Sequence, residues 1–187
     1  VTQAAEVASS GKGCQLSKNE GPVVCVRAGT QYFIESQIVF GKGAFNLTLL
    51  SFDSALIVGS QHAIHPEIKI LHVQGPWFSH PADRKVPIFQ IAKVNSDGDV
   101  KPCHDCDPME TITMENIRFN GGQCRSCGIL DTKFVGNLTF RYNLVENFEE
   151  HALSVHSVDV LLIEQNVFNG VRGKIVRAEV NFIMQAI

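Results

Sequence analysis

Residues 112–119, Ile-Thr-Met-Glu-Asn-Ile-Arg-Phe, are the stretch from which the fold can be inferred. Apolar and polar side chains alternate along its first half, and Asn120-Gly121 follows directly after it. Such alternation is typical of a β-strand that buries one face, and Asn-Gly is typical of a turn. Two later stretches repeat the pattern, namely Leu138-Thr-Phe-Arg-Tyr-Asn143 and Leu161-Leu-Ile-Glu-Gln-Asn-Val-Phe168. The sequence therefore predicts a short strand that recurs.

The recurrence has a nearly constant spacing, since consecutive predicted strands lie 20 to 26 residues apart. Repeats of this length are typical of solenoids, in which each unit buries its apolar face against its neighbours. Helical repeats would need long segments of 3.6 periodicity, and beyond its first dozen residues the sequence has none. A leucine-rich repeat would need a regular Leu/Asn consensus, which this sequence lacks. We therefore predict an all-β chain, a right-handed parallel β-helix of seven to eight coils, with strands centred at Val26, Leu49, Ile70, Ile91, Met114, Phe140, Ile163 and Ile183.

Composition excludes some classes of function. The 187 residues predict a single domain over 1–187, and the net charge of −3 argues against a nucleic-acid partner. The sequence contains no apolar run of the roughly 18 residues that a membrane span requires. The chain starts at Val1 and stops within strand-like sequence at residues 182–187. We therefore expect it to be part of a longer chain or of an assembly.

Several segments resemble the pectin-lyase-like superfamily of right-handed parallel β-helices. Val23-Val-Cys-Val-Arg-Ala-Gly-Thr-Gln-Tyr32 is similar to the opening coil of that superfamily, and Phe45-Asn-Leu-Thr-Leu-Leu50 and Ala55-Leu-Ile-Val-Gly59 are similar to its next strands. Asn166-Val-Phe-Asn-Gly170 resembles its repeating coil. The resemblance covers nearly the whole chain and implies the fold. Because lyases, esterases, adhesins and fibre proteins share this fold, it does not decide the function.

Two functions follow as expectations. The first is a secreted, extracellular protein that recognises or processes an extended polysaccharide, without the catalytic motifs of the superfamily's lyases, esterases or polygalacturonases. The alternative is a structural module of a fibre, an adhesin or a surface assembly that self-associates through its solenoid ends, where unpaired backbone groups are exposed.

Stacked coils place equivalent side chains in outward columns. We predict one column of Lys69, Gln90, Thr113 and Thr139, and a second of Leu71, Ala92, Glu115, Arg141 and Glu164. The only tryptophan, Trp77, can stack on a sugar ring or be buried. The candidate glycan-binding residues are Lys69, Trp77, Glu115, Arg141 and Glu164, with an exposed ion-pair row as the alternative for the charged ones.

The six cysteines allow two interpretations. Cys103-His-Asp-Cys106 and Cys124-Arg-Ser-Cys127 have the spacing of a four-thiolate zinc site, with Cys103, Cys106, Cys124 and Cys127 as ligands. The two motifs are also about one coil apart, so stacking favours disulfides Cys103–Cys124 and Cys106–Cys127, with Cys14–Cys25 as a third pair. An even count of cysteines is consistent with an oxidising compartment.

Two Asn-Leu-Thr sequons, at Asn46 and Asn137, are candidate glycosylation sites, although asparagine can also serve the turn there. Two further groups of residues are candidates for metal binding and for acid–base chemistry. Asp97, Asp99, Asp105 and Asp107 offer oxygen ligands for calcium, with solvated turns as the alternative. The candidate acid–base residues, which a surface turn also explains, are His62, His65, Glu67 and His72.

Overall fold

The computed structural model describes residues 23–25, 31–34, 38–40, 46–50, 56–59, 62–64, 67–79, 87–94, 100–103, 106–124 and 128–184. These residues form strands and no helix. The strands are β1 Val23–Cys25, β2 Gln31–Ile34, β3 Ile38–Phe40, β4 Asn46–Leu50, β5 Leu56–Gly59, β6 His62–Ile64, β7 Ile70–Gln74, β8 Trp77–Ser79, β9 Phe89–Val94, β10 Val100–Pro102, β11 Met109–Glu115, β12 Arg118–Cys124, β13 Leu130–Arg141, β14 Leu144–Phe148, β15 Leu153–Glu164, β16 Val167–Asn169 and β17 Val176–Met184.

The chain is a parallel β-solenoid with three outer faces. Face A consists of β1, β4, β7 and β11, followed by residues 137–141, 160–164 and 182–184. Face B consists of β2, β5, β8, β12, β14 and β16. Face C consists of β3, β6 and β9, followed by residues 130–135, 153–158 and 176–180. The long strands β13, β15 and β17 each pass from face C to face A, which confirms the predicted all-β solenoid.

The number of coils is lower than predicted. Met114 of β11 pairs directly with Val73 of β7, 41 residues earlier, whereas Ile91 lies in β9 on face C. The segment between β7 and β11 is therefore one long coil, and β10 pairs within it as an antiparallel neighbour of β9. On face A, β1 and β4 precede five consecutive rungs that start at β7 and enclose about four turns.

The interior is filled by the inward-facing side chains of all three faces. A row of aromatic rings runs along the axis, with centroids 5.7 Å apart between Phe78 and Phe119, 5.9 Å between Phe119 and Phe140, and 6.5 Å between Phe140 and Phe168. Phe89 meets Phe78 edge-on at 5.0 Å. Adjacent rungs lie about 4.7–4.9 Å apart, so rings from neighbouring coils approach closely enough to stack in offset geometry.

The corner between faces A and B repeats from coil to coil. In the four such corners that the structure describes, the first residue has positive φ, at Gly75, Asn116, Tyr142 and Gln165. Two asparagines bridge successive corners from the inside. The side chain of buried Asn143 accepts from Ile117 N and donates to Met114 O, both at 3.0 Å. One coil later, Asn166 accepts from Asn143 N at 2.9 Å and donates to Phe140 O at 2.8 Å.

Candidate functional site

Three charged or titratable side chains meet on face A, and we call His72, Glu115 and Arg141 the Glu115 cluster. Nε2 of His72 lies 3.0 Å from Oε1 of Glu115, and Nε of Arg141 donates to Oε2 at 2.8 Å. The three residues belong to the adjacent strands β7, β11 and β13. Both carboxylate oxygens of Glu115 are thus held by side chains from the neighbouring rungs.

Glu115 is the least exposed member of the cluster, with 12% of its side chain accessible against 39% for Arg141. Burial raises the pKa of the Glu115 carboxyl. The hydrogen bonds from Arg141 and His72, together with their charges, lower this pKa by more than burial raises it, so it lies below the usual value. The hydrogen bond to Glu115 raises the pKa of Arg141 above its usual value. At neutral pH the cluster therefore contains a carboxylate and a guanidinium that is partly open to solvent.

The register of face A explains why these residues meet. Glu115 pairs with Arg141, and Arg141 pairs with Glu164, so the predicted adjacency of these three residues is confirmed. The predicted adjacency of Thr113 and Thr139 is confirmed as well, and His72 pairs with Thr113. The outward surface of face A thus presents hydroxyl, imidazole, carboxylate and guanidinium groups on consecutive rungs.

The corner between faces A and B forms a ridge beside the cluster. Asn116, Tyr142 and Gln165 are exposed on it, although non-glycine residues occupy the left-handed region only at some conformational cost. The guanidinium of Arg141 lies 5.6 Å from the centroid of the Tyr142 ring, within range of a cation–π contact. An aromatic side chain therefore borders the Glu115 cluster.

A second group of side chains lies on face B, just beyond the ridge, and we call Trp77, Arg118 and Glu146 the Arg118 cluster. The guanidinium of Arg118 lies 4.9 Å from the Trp77 ring centroid, and its Nε donates to Oε2 of Glu146 at 2.8 Å. Trp77 and Arg118 are paired residues of β8 and β12. Only Asn116 and Ile117 separate Glu115 from Arg118 in sequence, so the two clusters border the same corner.

Sequence reasoning missed the His72–Glu115 and Trp77–Arg118 contacts. The third predicted strand was centred on Ile70, whereas Val73 is the residue that pairs with Met114. This shift left His72 out of the column of Thr113, from which it reaches Glu115. The signal was present in the corner motif, because Gly75-Pro-Trp77 and Asn116-Ile-Arg118 have equivalent positions. Aligning the two corners would have placed both pairs correctly.

The other predicted residues are distributed over the solenoid. Lys69 precedes β7, donates to Pro108 O at 3.3 Å, and lies 3.7 Å from the carboxylate of Asp107. Gln90 is not in the column with Thr113: it lies on face C and donates to Asp131. Leu71 and Ala92 are buried, and Ala92 belongs to β9 on face C, so neither joins the column of Glu115.

The predicted acid–base residues lie on different parts of the fold. His62 belongs to β6 on face C, Glu67 lies in an exposed turn, and His72 joins the Glu115 cluster. His65 lies outside the described residues. Of the predicted calcium ligands, Asp107 lies near Lys69, and Asp97, Asp99 and Asp105 lie outside the described residues. Where the structure describes side chains, no group of three or more His, Cys, Asp or Glu residues is arranged to hold a metal ion.

The cysteine pairing differs from the prediction. Cys103 forms a disulfide with Cys106, and not with Cys124 as the 21-residue spacing suggested. The physical reason is that this spacing is not one coil: Cys103 follows β10 within the long coil, whereas Cys124 ends β12 on face B. Because Cys106 is bonded to Cys103, it is unavailable to Cys127. Cys127 and Cys14 lie outside the described residues, and Cys25 ends β1. The zinc alternative would require Cys103 and Cys106 as thiolates and stays a prediction.

In the described residues, no helix has the length and apolarity that a membrane span requires. Comparison with protein-family models found no match, and comparisons with curated proteins and with solved structures found no significant match either. The structural evidence for function therefore consists of the geometry of the two clusters and the ridge between them.

Proposed function

We propose that the protein recognises an extended polysaccharide at the corner between faces A and B, where the Glu115 cluster and the Arg118 cluster border the Tyr142 ridge. The observation that carries the proposal is the placement of His72, Glu115 and Arg141 on three adjacent rungs, with both oxygens of Glu115 hydrogen-bonded. Side chains that are held in place lose little conformational freedom when a ligand binds.

The chemistry of the corner suits sugars. Arg141 uses Nε for Glu115, and the guanidinium carries further N–H donors. Tyr142 and Trp77 provide aromatic surface for the apolar faces of sugar rings, and threonine hydroxyls border the cluster. Gln74, Glu115, Arg141 and Glu164 follow one another in one column on consecutive rungs. Because rungs are about 4.7–4.9 Å apart, these polar groups form a line that an extended chain can follow.

The proposal includes the membership of the pectin-lyase-like superfamily that the sequence resemblance implies, and a secreted, extracellular location. The Cys103–Cys106 disulfide supports the location, because disulfides persist in oxidising compartments.

A glycan array probed with the whole chain tests the proposal, followed by titration calorimetry on the glycans that bind. Replacing Arg141 by alanine removes a charged donor and should weaken binding about tenfold or more, which corresponds to about 1.4 kcal/mol. Arg172→Ala is the matched control, since Arg172 is also exposed and lies near a glutamate, Glu149, at 3.5 Å, away from the ridge. Absence of glycan binding, or equal losses in both variants, would refute the proposal. An assay for released uronides on the same glycans would reveal whether binding leads to processing.

A second function, end-to-end self-association, has one observation in its favour. Among the described residues β16 is one of the two edge strands of face B, and its apolar residue Val167 is 60% exposed. Sedimentation velocity of Val167→Lys should then show fewer assemblies than the unmodified chain, with Phe134→Lys on face C as a control at another exposed apolar residue. A monomer at all concentrations would contradict this function.

A further inference from the structure

The two Asn-Leu-Thr sequons have the same local sequence and the same position in the solenoid. Asn46 and Asn137 each open a face A segment, and both lie in one outward column, since Asn46 pairs with Ile70, Ile70 with Thr111, and Thr111 with Asn137. Sequence and register therefore give no reason to expect different behaviour from the two sites.

Burial distinguishes the two sites. In residues 137–141 exposed or half-buried positions alternate with buried ones, and Asn137 itself is exposed. In β4 the alternation is lost, because Thr48 and Leu50 are buried on the outward side just as Leu47 and Leu49 are on the inward side. Thr48 is only 7% exposed, and Oδ1 of Asn46 is buried without a hydrogen-bond partner in the structure. Both sides of β4 are thus buried from Leu47 to Leu50.

We propose that Asn137 is an N-glycosylation acceptor and that Asn46 is not glycosylated in the folded protein. N-linked glycans are bulky and hydrophilic and require a solvent-exposed attachment point. At Asn137 the glycan extends into solvent from the start of a face A segment. Asn46 is half-buried, and its side chain lies beside the buried Thr48 with its own Oδ1 buried. A glycan there would disrupt the packing around β4, so chains that carry it would not reach the native fold.

The register also shows where on face A the glycan is attached. It stands next to Thr111 and Val160, its neighbours on the adjacent rungs. Arg141 is four residues further along the same strand, or about 13 Å at about 3.3 Å per residue. The attachment point thus lies at the edge of face A opposite the ridge, and the inference is independent of the proposed polysaccharide site.

Expression of the 187-residue chain in the secretory pathway of a eukaryotic cell tests the inference. The secreted protein is treated with peptide N-glycosidase in labelled water, and peptide mass spectrometry locates the asparagine that has been converted to aspartate. We expect conversion at Asn137 and unconverted asparagine at residue 46. A glycan on Asn46 of the secreted, folded chain, or no glycan on Asn137, would overturn the inference.

Variants give a second measurement by intact mass. Asn137→Gln and Thr139→Ala should each abolish the glycan, Thr139→Ser should retain it, and Asn46→Gln should leave the mass of the glycan unchanged. The peptide map of the unsubstituted chain decides the question even where a variant fails to fold. A glycan that survives Asn137→Gln would count against the inference.

Discussion

Asn143 shows how one side chain joins successive coils at their corner. Its amide satisfies a backbone N–H and a backbone C=O that the turn leaves without sheet partners. Buried backbone groups without partners are costly, so the side chain has to supply the missing hydrogen bonds. The same role is repeated by Asn166 one coil later. An asparagine at this corner is thus a structural residue.

Replacing Asn143 by alanine should lower the free energy of unfolding by about 2–4 kcal/mol, because it leaves a buried donor and a buried acceptor unsatisfied. Asn166→Ala is the matched control: it removes equivalent bonds at a half-buried position, where water can replace them, and should cost about 1 kcal/mol. Urea unfolding of both variants measures the difference. Equal losses would show that burial does not set the cost of these bonds.

The pH dependence of stability should contain a contribution from Glu115. Its pKa is lower in the folded chain than the ordinary glutamate value of about 4.3, so the folded state binds its proton less readily than the unfolded state. This stabilisation is fully present above the ordinary value and is lost as the pH falls through the lower pKa of the folded state.

Unfolding curves recorded from about pH 7 down to about pH 3 test this linkage. Glu115→Gln should be less stable than the unmodified chain at neutral pH, and its stability should fall less steeply in the acid range. Glu110→Gln is the control, because Glu110 is an exposed glutamate on the same strand. Parallel pH profiles for the unmodified chain and Glu115→Gln would contradict the assignment.

At the scale of elements, the aromatic row couples the strands of neighbouring coils. Phe119 is completely buried and stacks on Phe78 on one side and on Phe140 on the other. It therefore connects faces A and B as well as successive rungs.

Phe119→Ala should cost about 3–5 kcal/mol of unfolding free energy, since it leaves a cavity between two rings that cannot close around it. Phe134→Ala is the matched control: this phenylalanine is 43% exposed, and the loss should stay within about 0.5 kcal/mol. Thermal or urea unfolding measures both. A small loss for Phe119→Ala would mean that the coils can repack around a missing ring.

The sequence predicted the elements well wherever coils follow one another without an insertion. The alternation in residues 112–119 and 138–143 was enough to align Glu115, Arg141 and Glu164 correctly. The same alternation led to a wrong order of strands between β7 and β11. An alternating segment such as Phe89–Val94 indicates a strand with one buried face, but not the face of the solenoid to which the strand belongs. The His72–Glu115 contact joins residues 43 apart, and so it depended on the coil that was misread.

At the scale of the whole molecule, each coil contacts the coil before and the coil after it, and stability is a sum over such neighbours. Interior strands have a partner on both sides, whereas an edge strand has one. β8 and β16 allow a direct comparison, because both lie on face B and both have three residues. β8 lies between β5 and β12, and β16 pairs with β14 as the edge of that sheet.

Amide hydrogen exchange should therefore be slower in Trp77–Ser79 than in Val167–Asn169 in dilute solution. Exchange read out by mass spectrometry on overlapping peptides measures both segments in one sample. If the chain self-associates through β16, raising its concentration should selectively slow exchange in Val167–Asn169. Equal protection of both segments in the monomer would contradict the assignment of β16 as an edge.

The 41-residue coil between Val73 and Met114 has a consequence for how such a molecule can be altered. An extra loop that leaves and rejoins the stack does not change the step from one rung to the next, since β7 and β11 still lie side by side. Foreign segments grafted at this place would project from the side of the solenoid, and the spacing between consecutive rungs would stay unchanged. Length added along the sequence would then widen the molecule without lengthening it.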